Sequence, residues 1–159
     1  MVLFEQLRKH GYITPDMQIV VEGFCARWNV TPFQALLETH AFTESALGKA
    51  LAVICEVPFR SRILWEESAS TVMEKLPFSE ATEHMCLPLS FQTHKKTSVA
   101  TFVFANPSDT RTVNQLLSRF VGWETRILVG EKTRVLQSIE TYYPFSEQVP
   151  FFFAEGVAP

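Results

Sequence analysis

Six residues, Val99-Ala100-Thr101-Phe102-Val103-Phe104, are apolar almost throughout and end just before Asn106-Pro107. A run of this length, rich in β-branched and aromatic side chains, reads as a strand covered on both faces. That requirement dictates most of what surrounds it. The run before it, Cys86-Leu87-Pro88-Leu89-Ser90-Phe91, is also strand-like, and polar His94-Lys95-Lys96-Thr97 separates the two, which predicts an antiparallel hairpin. After it, Asn106-Pro107 predicts a helix start, with Val113, Leu116, Leu117 and Phe120 on one side and Gly122 as the stop. Trp123 to Val129 reads as a third strand, and Glu131 to Tyr142 as a helix with Val135, Leu136 and Ile139 inward, ended by Pro144. A strand–helix–strand unit over 99–129 is a right-handed crossover, so its two strands run parallel.

The first sixty residues carry helical signals instead. Leu3, Phe4 and Leu7 have helical spacing over Val2 to His10, before Gly11. Thr14-Pro15 and Thr31-Pro32 each place a capping hydroxyl before a proline suited to the first helical position. Gln34, three residues after Thr31, fits a capping box. Thr43 caps a fourth helix through Leu47, Leu51 and Ile54, which ends before Pro58. Ser79 is the expected cap of a short helix to Met85.

The predicted class is α+β: a helical N-terminal subdomain, then a small mixed three-stranded sheet with helices packed on it, in the order ββαβα. The expected divisions are a helical part at 1–57, a connection at 58–78, an α/β part at 79–144 and an aromatic tail at 145–159. Tyr142, Tyr143, Phe145, Phe151, Phe152 and Phe153 crowd that end, which predicts packing on the domain or docking on a partner.

Composition enters mainly by exclusion. Aromatic residues at 13% and a net charge of −3 exclude intrinsic disorder. A pI near 5.8 excludes a domain-wide basic footprint, so no nucleic-acid partner is expected. Cys25, Cys55 and Cys86 are an odd, sparse set without CxxC, as expected of reduced thiols in the cytoplasm. Leu3 and Phe4 are followed too soon by Glu5, Arg8 and Lys9 for a signal peptide, and no run reaches membrane-span length.

Chemistry-bearing motifs are equally sparse. Leu47-Gly48-Lys49-Ala50 resembles a P-loop end, but the upstream glycine is missing and Ala50 replaces the magnesium-binding hydroxyl residue. His10, His40, His84 and His94 show no metal-ligand spacing, and no GxSxG elbow occurs. His84-Met85-Cys86 reads as a helix end before a buried thiol. The expectation is a protein that is not an enzyme and needs no cofactor or metal.

Glu56-Val57-Pro58-Phe59, Cys86-Leu87-Pro88-Leu89, Ala105-Asn106-Pro107-Ser108-Asp109, Val121-Gly122-Trp123 and Ile139 to Tyr143 stand out as a set of short motifs. Together, within a similarity over most of residues 30–144, they resemble the N-terminal domain of type II secretion and type IV pilus assembly ATPases. The resemblance implies docking to the cytoplasmic part of an inner-membrane assembly protein. It also implies a cytoplasmic location, peripheral at that membrane through the partner. The residues present stop where the ATPase motor of the full-length family would begin, so the resemblance implies either the N-terminal part of such an ATPase or a stand-alone relative without the motor. Leu3, Phe4, Leu7, Phe151, Phe152 and Phe153 are the candidate partner-binding residues.

Some members of that family bind cyclic di-GMP through two copies of a motif beginning "RLG". Leu7, Gly11 and Ile13 match the first copy, and Leu36, Phe42, Leu47 and Leu51 match the second. The "RLG" positions read Val2-Leu3-Phe4 and Thr31-Pro32-Phe33, without arginine and with phenylalanine in place of glycine. A cyclic dinucleotide is therefore the alternative ligand.

Overall fold

Helix α1 (Val2–Lys9) turns Leu3, Phe4 and Leu7 into the protein and ends at Gly11, whose φ of +78° suits a glycine. The computed structural model describes residues 2–148. Helices α2 (Pro15–Trp28), α3 (Pro32–Glu38) and α4 (Glu44–Cys55) follow. Each starts as its threonine predicts: the hydroxyls of Thr14, Thr31 and Thr43 accept from the N–H groups of Met17, Gln34 and Ala46 at 3.1–3.2 Å. The capping box does not close. The Gln34 side chain donates to the Glu38 carboxylate at 2.7 Å, a charged partner one turn on, rather than reaching back to Thr31.

The connection is more ordered than its sequence announces. Phe59 forms a parallel bridge with Val129, a 3₁₀ turn covers Glu67–Ala69, and α5 (Ser70–Met73) buries Val72 and Met73. Helix α6 (Phe78–His84) begins one residue before Ser79, which lies in its first turn instead of capping it. Pro77 holds the cap position, and Phe78 is drawn inward against the Tyr143 ring, 5.8 Å away edge-on.

Strands β1 (Cys86–His94) and β2 (Thr97–Phe104) form the expected hairpin, with a turn of only Lys95 and Lys96. The register shifts between Pro88 and Ser90, which accommodates a proline lacking an N–H in an edge strand. Helix α7 (Thr110–Leu117) begins later than Asn106-Pro107 implies. The Asn106 side chain accepts instead from the N–H of Ser108 at 3.2 Å, closing a local turn. Asp109, whose charge suits a helix N-terminus, caps Thr112 N–H at 3.2 Å. A 3₁₀ turn over Ser118–Phe120 and Gly122 (φ +84°) lead into β3 (Glu124–Val129), and α8 (Lys132–Tyr142) and α9 (Phe145–Gln148) complete the described chain.

The sheet has the order β1-β2-β3, antiparallel then parallel, so the run at 99–104 is its central strand. Phe102 and Phe104 are 1% exposed and Val103 is fully buried. Phe102 packs on Phe120 at 5.2 Å, while Val103, Val135 and Ile63 close around Gly130. One contiguous core runs from Leu3 through Leu51 and Phe102 to Ile139 and Tyr143.

Candidate functional site

Four segments far apart in sequence meet beyond the C-terminal end of β2. They are the starts of α1 (Val2, Leu3) and α3 (Thr31, Pro32, Phe33), the end of α6 (Glu83, His84, Met85) and the entry to α7 (Asn106 to Thr112), around an open groove of about 650 Å³. Its walls are mixed. Val2 is 70% exposed, while Glu83, Asp109 and Arg111 bring charges of both signs. Two helix N-termini in this groove already have acceptors from the chain itself. Thr31 caps α3, and Asp109 caps α7 while also accepting from the Thr112 hydroxyl at 2.7 Å.

Both places where the sequence aligns with "RLG" border this groove, Val2-Leu3 from one copy and Thr31-Pro32-Phe33 from the other. Phe4 and Phe33 are turned away from solvent, at 0% and 5% exposure. Their rings fill the core.

Of the six candidate partner-binding residues, Leu3, Phe4 and Leu7 are 8%, 0% and 0% exposed, so the apolar face of α1 is covered by the chain's own core. Phe151, Phe152 and Phe153 lie outside the described residues. A different helix presents apolar surface. In α2 only Val21 is fully buried, while Ile19, Val20 and Trp28 are 67%, 65% and 59% exposed. Gly23 has nothing within 4 Å of a Cβ placed on it and shares the outer face with Ile19 and Val20 at helical spacing. The Trp28 ring carries the Arg27 guanidinium 5.4 Å above it. The sequence does contain a sign of this. Ile19-Val20-Val21 places three β-branched residues in succession on a helix, and one narrow face cannot bury all three.

The thiols are in settings that favour the protonated form. Cys86 is buried at the start of β1, and desolvation pushes its pKa up. Burial also raises Cys25 and Cys55, so no described thiol is activated as a nucleophile. Arg119, bonded to Glu80, holds that carboxyl below its ordinary range. No group of three metal-ligating side chains occurs among the described residues, and no described helix is long and apolar enough to cross a membrane.

No family model matches the chain, and no curated protein matches it in sequence. Solved structures match it in fold. The chain superposes on MshE, in a structure with cdg (cyclic di-GMP), at a TM-score of 0.67 and 13% identity, covering 87% of this chain and 96% of that one. It superposes on the N-terminal domain of XpsE at 0.58 and 14% identity, covering 89% and 94%. The architecture is thus an α+β domain with helices leading into a mixed three-stranded sheet. Its fold is that of the N-terminal domains of secretion and pilus ATPases, as the resemblance in residues 30–144 implies.

Proposed function

We propose that this chain is a non-catalytic docking module that binds the cytoplasmic part of an inner-membrane secretion or pilus assembly protein. The reading places it in the cytoplasm, held at the inner membrane through that partner. The observation that carries it is the outer face of α2, where Ile19 and Val20 stand exposed on a domain with the fold of a secretion-ATPase N-terminal domain. Apolar side chains at helical spacing suit a helix or groove on a partner. The mechanism is positional: binding brings an associated motor to the assembly site, and no bond is made or broken.

A pull-down with the cytoplasmic domains of inner-membrane assembly proteins tests this reading. Capture that is lost in Ile19→Asp and Val20→Asp supports it. Failure to bind any of them at tens of micromolar sinks it.

A second reading rests on the groove. Both "RLG"-aligned positions border one cavity, its volume falls within the roughly 300–1,000 Å³ of ligand pockets, and the MshE structure contains cyclic di-GMP. Against it stand the two missing arginines and the buried rings of Phe4 and Phe33 at the glycine positions. Titration calorimetry with cyclic di-GMP separates the readings, and saturable micromolar binding would favour the nucleotide.

A further inference from the structure

The outer edge of β3 is paired at one end only. Val129 donates its N–H to Pro58 O at 2.9 Å and accepts from Arg60 N–H at 2.8 Å, so its backbone groups face away from β2. Gly130, the next residue, donates to Phe104 O at 3.1 Å, toward β2. In a parallel ladder alternate residues direct both backbone groups to the same side. The N–H and C=O of Ile127 and Thr125 therefore also face outward, and neither has a backbone partner on that side among the described residues. The segment that pairs with Val129 cannot extend along this edge, because Glu56 just before it is the left-handed cap of α4.

An open edge invites another strand, and the charges along this one indicate which. Glu124 and Arg126 flank Thr125 on the same face of the strand, with Arg126 Nε 3.5 Å from Glu124 Oε1 and side chains 52% and 64% exposed. We infer that β3 pairs antiparallel with β3 of a second copy of this chain, with the two-fold axis at Thr125. In that register Thr125 exchanges both backbone hydrogen bonds with its counterpart. Ile127 N–H reaches the carbonyl of Trp123 in the other copy. Each Glu124 then faces the other copy's Arg126, so two intermolecular ion pairs form. Centring the axis on Ile127 instead would place Thr125 opposite Val129, whose edge Pro58 and Arg60 already occupy. Gly122 turns the chain at the start of the strand, which limits the pairing to a few residues. The product is a six-stranded sheet across a weak, reversible dimer.

Sedimentation equilibrium on the full chain, from micromolar to submillimolar concentration, tests this. Wild type is expected to shift from monomer to dimer across that range. Arg126→Glu and Glu124→Arg each set like charges opposite one another twice and weaken association by about tenfold. The double exchange Glu124→Arg with Arg126→Glu restores it. Thermal unfolding of the same variants, at exposed positions, verifies that each is folded. A chain that stays monomeric throughout, or dimerises equally well with either single reversal, overturns the inference, as does a double exchange that fails to recover.

Discussion

Glu44, in the first turn of α4, accepts two hydrogen bonds from Thr133 in the first turn of α8, from its N–H at 2.5 Å and its hydroxyl at 2.6 Å. A side chain of one helix thus caps another helix 89 residues later. Glu131, at the conventional cap position of α8, makes no such bond and pairs with Arg134 at 2.6 Å. The carboxylate also lies at a helix N-terminus, where negative charge is favoured.

Replacing Glu44 with alanine leaves the α8 N-terminus without that acceptor and is expected to cost about 1 kcal/mol. Thr133→Val, which removes only the hydroxyl, should cost less. Urea unfolding of the two single variants and the pair measures the coupling. Additive losses would show that the contact contributes nothing of its own.

Gly48 and Gly23 should respond oppositely to alanine. A Cβ on Gly48 would stand 2.7 Å from the Phe59 ring, and the bridge to Val129 holds the Phe59 backbone in place. The clash is expected to outweigh the gain in helix propensity, for a net loss of roughly 1–2 kcal/mol. Gly23, with open space around it, should gain about 0.5–1 kcal/mol on the same change. Thermal midpoints of the two variants should move in opposite directions.

Alkaline pH should destabilise the fold through Tyr143 and Cys86. The Tyr143 hydroxyl donates to Leu76 O at 2.6 Å in the interior, and burial raises its pKa well above the ordinary tyrosine value. Cys86 is raised for the same reason. In the unfolded chain these groups ionise near about 8.5 and 10, while the folded chain keeps its protons. Stability is therefore fully present below about pH 8.5 and falls as pH rises, by about 1.4 kcal/mol per unit for each group past its unfolded value. Tyr143→Phe should lower stability at neutral pH by about 1–2 kcal/mol and flatten the decline above pH 10. Chemical denaturation across pH 7–11 checks both.

Charge on the outer face of α2 should separate binding from folding. Ile19→Asp and Val20→Asp replace side chains that are two-thirds exposed, so stability should change by no more than about 0.5 kcal/mol. Val21→Asp, at 2% exposure, should unfold the domain. A large stability loss at residue 19 or 20 would mean that this face is already covered.

The strands and most helices were legible because their signals are local. Thr14-Pro15 and Thr31-Pro32 specify a dihedral angle and a capping oxygen within two residues, and the run at 99–104 states its own burial. The start of α7 was harder, because Asn106 and Asp109 both offer a capping oxygen and only the turn through Ser108 decides between them. The 3₁₀ turn and α5 in the connection escaped notice since seven residues leave no measurable period. The groove unites residues near positions 2, 31, 84 and 109, and no linear pattern joins those four. The exposed face of α2 was hidden for another reason: hydrophobicity marks which residues prefer cover, not whether the chain provides it.

The two-residue turn at Lys95-Lys96 has a kinetic consequence. It brings β1 and β2 together at almost no cost in chain entropy, whereas the clip between Phe59 and Val129 closes a loop of about seventy residues. The hairpin can thus form early and serve as the template on which β3 and its crossover helix settle. The Phe59 clip comes late in assembly, and the same ordering makes it an early point of opening when the domain unfolds.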